Sequence, residues 1–237
     1  MYEQTIYFCG CDLSSKGHIR TAAFLREMQK VACLDLSNFD LSPELLREMG
    51  IAFILSKTSL KVEKIHLPSA ELSLCTYPRA SRGASFMRDF VFSQDGEVVA
   101  RATTRWGILD LSRRVLLRPS ELPRQIPGET ELWVGFEPPR LSPVRGEDAC
   151  FLGKKRVLRS MTDSNGHLNN AAYLDLCLDV TEDEPVREMH IEYRKELLEN
   201  EEVCLYRAED AEGHALLYGE KAADASLSFL VQTKAWK

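Results

Sequence analysis

Asp163, Asn165 and His167 stand at alternate positions in the run Arg159-Ser-Met-Thr-Asp-Ser-Asn-Gly-His-Leu-Asn-Asn-Ala-Ala-Tyr173. Asp, Ser and Asn ahead of an apolar-periodic segment are also ordinary helix N-cap residues, and glycine permits a tight entry. Taken singly, these side chains read as a cap, and a histidine beside an apolar helix reads as a packed residue. Together they carry more. A carboxylate, an amide and an imidazole in one turn can converge on one point and supply a base, an orienting group and a proton carrier. The start of a helix adds free backbone N–H groups and the positive end of its dipole. That set suits a reaction in which negative charge develops on a carbonyl oxygen.

The elements that must position these residues occur twice. Gly17-His-Ile-Arg-Thr-Ala-Ala-Phe-Leu25 matches Gly166-His-Leu-Asn-Asn-Ala-Ala-Tyr-Leu174 with identical Gly, His, Ala, Ala and Leu. One repeat at this separation indicates a duplicated domain, not a solenoid. In the second copy Tyr173, Leu176, Cys177 and Val180 recur at helical spacing, and in the first Phe24, Met28 and Val31 do so. Strand-like runs follow in both halves: 54–65, 71–77, 86–93, 98–104 and 106–111, then 187–193, 203–208, 215–220 and 226–233. Gln94-Asp-Gly-Glu97 and Asp210-Ala-Glu-Gly213 read as hairpin turns between them. Six prolines between Pro119 and Pro143 block helix and sheet continuation. We therefore expect a first domain over residues 1–118, a proline-rich linker over 119–145 and a second domain over 146–237. A helix followed by an antiparallel sheet in each half is an α+β arrangement, in which the two bury each other's apolar faces.

The first copy lacks part of the set. Asp12-Leu-Ser-Ser-Lys-Gly-His18 has no Asn at the matching place, and its Asp lies six residues before the His. It reads as a degenerate half that keeps the fold, with His18 structural.

Composition narrows the class. The chain has 237 residues, 44% of them hydrophobic and 28% charged, as in ordinary globular proteins. A net charge of -6 argues against a dedicated nucleic-acid binder. The start of the chain lacks the order of a secretory signal and the apolar runs are too short to span a bilayer, so a cytoplasmic protein is expected. Seven cysteines are scattered, and Cys33, Cys75, Cys177 and Cys204 sit among apolar residues as small hydrophobes would. Cys9-Gly-Cys11 has no second pair or nearby His at finger spacing, so no metal is expected. Neither nucleotide fingerprint is present, and no cofactor is expected. Basic clusters at Arg113-Arg114 with Arg118, Lys154-Lys155-Arg156 with Arg159, and Arg194-Lys195 read as mixed surface or as a docking patch for an acidic partner.

The pattern Asp-x-Asn-x-His-hydrophobic-Asn-Asn-x-x-Tyr resembles the signature of the acyl-acyl carrier protein thioesterases, and Asp163, Asn165, His167, Leu168, Asn169, Asn170 and Tyr173 meet every position. Ile191-Glu-Tyr-Arg-Lys-Glu196 resembles the family's Glu-Tyr-Arg-Arg-Glu strand, whose last Glu belongs to the catalytic set. Arg88-Asp-Phe90, the run from Gly96 to Trp106, and Asp110-Leu-Ser-Arg-Arg114 also look familial. The resemblance implies a tandem double hot-dog fold, each half a long helix wrapped by an antiparallel sheet. It further implies hydrolysis of fatty acyl thioesters on acyl carrier protein. Asp163, Asn165, His167 and Glu196 would then be catalytic, and the first domain would supply the acyl-chain cavity. Plant members carry a Cys after that Glu. Here the position is Leu197, so the carboxylates must do the work.

Three other readings share these residues. An acyl-CoA thioesterase differs in carrier alone. A hot-dog enoyl hydratase uses Asp-x-Asn-Pro-x-His, which this chain departs from in lacking the Pro and one spacer. A non-catalytic acyl-binding module would tolerate losing some of the four polar residues, all of which are present. Tandem fusion suits a monomer, and sheet edges would allow a homodimer.

Overall fold

The computed structural model describes residues 1–65, 71–128, 133–144, 146–181, 185–210 and 212–236, apart from the side chains of Arg82 and Glu147. The chain forms two compact units. One comprises Met1–Cys11 and Arg26–Pro138, and the other Asp12–Leu25 and Pro139–Lys237. The boundary at Pro138–Pro139 lies within the proline-rich stretch, and the N-terminal turn that carries His18 groups with the second unit.

In the first unit an antiparallel sheet is built from β1 (Tyr2–Tyr7), β2 (Ile51–Val62), β3 (Glu71–Arg82), β4 (Ser85–Gln94), β5 (Glu97–Asp110) and the short β6 (Val115–Leu117). Its order is β1-β3-β4-β5-β2, and β6 also pairs with β5. The Asp95-Gly96 turn joins β4 to β5 with both residues at positive φ, as a two-residue hairpin of this hand requires. Helix α1 (Thr21–Ser37) starts in the second unit and continues in the first, where Met28, Val31, Ala32 and Asp35 form its buried face. Helix α2 (Pro43–Glu48) is started by Ser42, whose hydroxyl accepts the Leu45 N–H, with Pro43 in the first turn.

Strand β4 is buried without alternation from Phe86 to Phe90, because the sheet is covered on both faces. Arg88 turns toward α1 and donates to Asp35 at 2.5 Å and to Thr76 at 3.2 Å. Asp89 turns the other way and accepts the Val134 N–H at 3.3 Å, tying down the proline-rich segment. Burial pushes the Asp89 carboxyl up, against the pull of Thr103, Arg79 and that N–H. The same segment is also pinned earlier, where Leu122 packs with Leu41, Ile108 and Leu117.

The second unit has α3 (Ala172–Leu178) against β7 (Cys150–Arg156), β8 (Val186–Tyr193), β9 (Glu202–Glu209), β10 (Ala215–Lys221) and β11 (Leu227–Ala235), in the order β8-β11-β10-β9-β7. Each unit is thus a helix set on an antiparallel sheet, the hot-dog arrangement. Helix α3 is shorter than the periodicity suggests. Val180 lies beyond its end, and the Thr181 hydroxyl bonds the Cys177 carbonyl in place of a further turn. On the outer face of this sheet, Leu141 of the proline-rich segment packs on Leu216, Tyr218 and Leu230. Its N–H bonds the buried Glu192 at 3.0 Å.

Candidate active site

Asp163 to His167 form a tight reversal between a short turn of 3-10 helix at Arg159–Met161 and α3. The Asp163 N–H bonds the His167 carbonyl at 2.8 Å, and the Gly166 N–H bonds the Asp163 carbonyl at 3.0 Å. Gly166 sits at φ +77°, a conformation that strains any side chain. The carboxylate of Asp163 closes the turn: Oδ1 accepts the N–H groups of Asn165 at 2.8 Å and His167 at 3.2 Å. Asp163 and His167 are half-buried and Asn165 is exposed.

Glu196 comes from a distant part of the sequence. It is exposed in the loop after β8, and the backbone on either side of it is clamped. The Ser228 carbonyl accepts the N–H groups of Arg194 at 2.8 Å and Lys195 at 3.0 Å, and the Ser228 hydroxyl donates to the Lys195 carbonyl at 2.7 Å. The Leu197 carbonyl accepts the Leu168 N–H at 2.7 Å, and His167 bridges Leu198. The turn and the loop are therefore neighbouring pieces of backbone, despite about thirty intervening residues.

Tyr173 links them. Its hydroxyl accepts the Leu197 N–H at 3.2 Å, and its ring stands edge-on to Tyr193 at 5.3 Å and Phe229 at 5.0 Å. Burial pushes its pKa up to about 12, and the negative charges of Glu196 and Asp163 add to that rise. Both carboxylates thus act electrostatically on one hydroxyl. The Tyr193 hydroxyl bonds the Asn170 carbonyl at 2.9 Å, and the Asn169 side chain caps Ala171 at 2.9 Å. In the sequence, Tyr173 is a signature position with no role attached, and Ser228 carries no signal at all.

Two further copies of the turn show what its backbone alone requires. In the first half Ser14, not Asp12, occupies the place of Asp163. Its N–H bonds the His18 carbonyl at 2.8 Å, Gly17 sits at φ +82°, and its hydroxyl accepts the Lys16 N–H at 3.1 Å. That hydroxyl also meets the ring Nδ1 of the buried His18 at 3.1 Å, which engages the imidazole. The third copy involves Asp210 and Glu212-Gly-His214. Asp210 Oδ1 accepts the N–H groups of Glu212 and His214, both at 2.9 Å, and Gly213 sits at φ +78°. Its Oδ2 is occupied by His214 Nδ1 at 3.2 Å and by the Gln232 amide. At Asp163 the second carboxylate oxygen has no hydrogen-bond partner among the described residues, and the His167 ring is not drawn back onto it. The same fold of backbone therefore leaves one of the three turns with an available carboxylate and imidazole.

Leu197 is fully buried, so no thiol follows Glu196. Of the cysteines expected to act as small hydrophobes, Cys177 is buried, with its thiol pushed up to about 12, while Cys75 and Cys204 are half-buried and Cys33 is exposed. Much of the basic surface is paired: Lys154 and Arg156 with Glu202, Lys155 with Asp179, Arg113 with Asp110, and Arg194 with Glu192. Among the described residues no cluster of His, Cys, Asp or Glu is placed to hold a metal, and no helix is long and apolar enough to cross a membrane.

Comparison with known proteins bears on the same half. Residues 152–226 match the family model of the acyl-ACP thioesterase C-terminal domain. Among solved structures, an acyl-ACP thioesterase from Bacteroides thetaiotaomicron superposes with a TM-score of 0.87 at 15% identity, covering 98% of this chain and 96% of that one. A putative oleoyl thioesterase from Lactobacillus plantarum gives 0.80 at 14% identity, over 98% and 94% of the two chains. The 12:0-ACP thioesterase from Umbellularia californica gives 0.75 at 14%, over 98% and 96%. At these identities the superpositions show the fold. A search of curated protein sequences gave no match. Residues 152–226 are thus similar to the acyl-ACP thioesterase C-terminal domain, and the whole chain shares the fold of those thioesterases.

Proposed function

We propose that this protein hydrolyses fatty acyl thioesters carried on acyl carrier protein, releasing the free fatty acid and ending chain synthesis. The family-model match over residues 152–226 supports the reaction, and one observation supports its seat. Among the described residues, Asp163 alone of the three equivalent turns keeps a carboxylate oxygen without a hydrogen-bond partner and an imidazole not drawn back onto it, and the backbone on either side of Glu196 is bonded to the same neighbourhood.

Water is a poor nucleophile toward a thioester carbonyl, so a carboxylate must attack or take a proton from water. Glu196, exposed on its loop, activates the water. Asp163, with one oxygen fixed by two N–H groups, presents the other to the reacting carbon or its water. Asn165, exposed at the tip of the turn, positions the substrate and stabilises the oxyanion. His167 delivers the proton that the departing thiolate needs. A new C–O bond forms, the C–S bond breaks, and the carrier leaves as its thiol. No cofactor takes part beyond the phosphopantetheine arm of the substrate. In ¹⁸O-water under single turnover, solvent oxygen recovered in the enzyme would show attack by the Asp163 carboxylate with the anhydride then opened at the aspartyl carbon.

The carrier is testable directly. The acidic carrier protein would meet a surface whose basic residues are largely paired, so its attraction is expected to be modest and salt-sensitive. Turnover of one acyl chain on acyl carrier protein and on CoA, at low and high salt, distinguishes the two. Faster turnover on CoA at both salts would replace this reading with an acyl-CoA thioesterase.

A further inference from the structure

Behind Tyr173, on the side away from the candidate turn, the second unit holds a cavity of about 680 Å³. That lies within the roughly 300–1,000 Å³ of small-molecule pockets. The strand register orders its walls, since residues directly opposite one another point to the same face of the sheet. Nearest the candidate site is the row Leu205–Gly219–Phe229–Tyr193, closed by the Tyr173 ring. The next row is Arg207–Leu217–Val231–Ile191, and the one beyond it is Glu209–Ala215–Thr233–Met189. The cavity lies over these two further rows, beneath Leu174, Cys177 and Leu178 of α3. From β8 across to β9 is three strand spacings, about 14 Å, room for an extended chain of medium length.

Arg207 breaks the pattern of this face. The inward positions of β9 read Val203, Leu205, Arg207, two buried apolar residues and then a guanidinium opening on the cavity. A charge facing an apolar wall needs a partner or water, and no carboxylate among the described residues pairs with it. At the rim Glu212 is held by His214 at 3.6 Å. Where the cavity ends, the buried indole N–H of Trp236 has no acceptor among the described residues. The cavity thus offers an apolar bed, a cation and a spare donor, which fit an apolar chain with an anionic acceptor at its head. A carboxylate suits Arg207 best, through paired charge-assisted hydrogen bonds. The aromatic row of Tyr173, Phe229 and Tyr193 stands between this cavity and the candidate turn, where Asp163 and Glu196 would repel such a head.

We propose that this cavity binds a free single-chain fatty carboxylate, its tail beneath α3 and its head on Arg207, as a second site distinct from the catalytic turn. That the ligand is the enzyme's own product rests on the function proposed above; the site itself does not.

Isothermal titration of the full chain with decanoate and decanol tests it, using the wild type, Arg207→Gln, Arg207→Lys and Asp163→Asn. Arg207 is exposed, so its variants are expected to unfold at the wild-type temperature. One saturable decanoate site is expected in the wild type and in Asp163→Asn. Decanoate should bind at least tenfold more weakly to Arg207→Gln, with partial recovery in Arg207→Lys, while decanol affinity stays unchanged. Absence of saturable decanoate binding to the wild type would overturn the proposal, as would unchanged affinity in Arg207→Gln. Loss of binding in Asp163→Asn would also overturn it, by moving the ligand to the candidate turn. Full turnover by Asp163→Asn that still binds decanoate would sink the catalytic assignment and leave this site standing.

Discussion

Replacing Tyr173 by Phe removes one oxygen atom and tests how the Glu196 loop is held. The hydroxyl accepts the Leu197 N–H at 3.2 Å, and Leu197 is fully buried, so no water can take over the bond. Leaving a buried N–H without a partner costs about 1–3 kcal/mol. The ring remains, and with it the edge-on contacts to Tyr193 and Phe229. The expected loss of stability is therefore about 1–2 kcal/mol, read as a lower urea midpoint with an unchanged slope. Loosening the loop also misplaces Glu196, and each ~1.4 kcal/mol lost from the transition state lowers the rate tenfold. We expect kcat to fall about tenfold, with KM little changed. The pH dependence follows from the same group. With its pKa raised to about 12, Tyr173 is neutral in both folded and unfolded chains below the ordinary value near 10. The stability gap between wild type and variant should be flat from pH 6 to 9. It should shrink as pH rises from about 10 toward 12, because the unfolded wild type releases its proton first. Equal urea midpoints at pH 7, or equal turnover, would refute this account of the clamp.

Three other substitutions separate structure from chemistry. Asp210→Ala strips the third turn of its carboxylate and should cost about 1–2 kcal/mol of stability by thermal melting, while thioester turnover per folded molecule stays at the wild-type level. Gly219→Ala would place a Cβ 2.2 Å from the Phe229 ring, which itself supports Tyr173. Its overpacking should lower stability by about 1–3 kcal/mol in urea titration, with activity falling in step. Asp35→Ala leaves the buried Arg88 guanidinium without its partner and should destabilise the first unit by about 3–5 kcal/mol, measured by chemical denaturation.

How far the sequence carries depends on the kind of signal. The Asp95-Gly96 hairpin and the buried face of α1 are local, and their residues announce them. Ser42-Pro43 announces α2 as plainly, by its cap and first-turn proline, yet the segment is too short for periodicity to mark it. Periodicity also misleads at Arg105, where the reading of two strands meets a single β5. The break there belongs to the partner strand: β2 bulges at Ser56, whose hydroxyl bonds the Arg105 carbonyl. The edge strands β1 and β7 have mostly exposed or half-buried residues, so no hydrophobic alternation marks them.

Within the candidate site, the four residues named by motif are brought close by backbone bonds that no local pattern reveals, above all the Leu168–Leu197 bond and the Tyr173 clamp. The motif is also less selective than it looks. Asp-x-x-Gly-His recurs at 210–214 with the same hydrogen bonds, and there its carboxylate is spent on His214 and Gln232. Ser14 takes the Asp place in the first half, an equivalence hidden by the nearby Asp12. What separates the candidate from its copies is the partner of one oxygen atom, and side-chain pairing of that kind depends on residues distant in sequence.

Turnover of acyl-acyl carrier protein by Asp163→Asn beside Asp210→Asn separates a carboxylate that supplies chemistry from one that supplies structure. Asparagine keeps an acceptor oxygen for the two N–H groups of each turn, so both variants are expected to fold. A loss of at least a hundredfold in kcat/KM is expected for Asp163→Asn, about 3 kcal/mol of transition-state stabilisation, with near wild-type turnover for Asp210→Asn. Full activity in Asp163→Asn, or an equal loss in both, would contradict this division of roles.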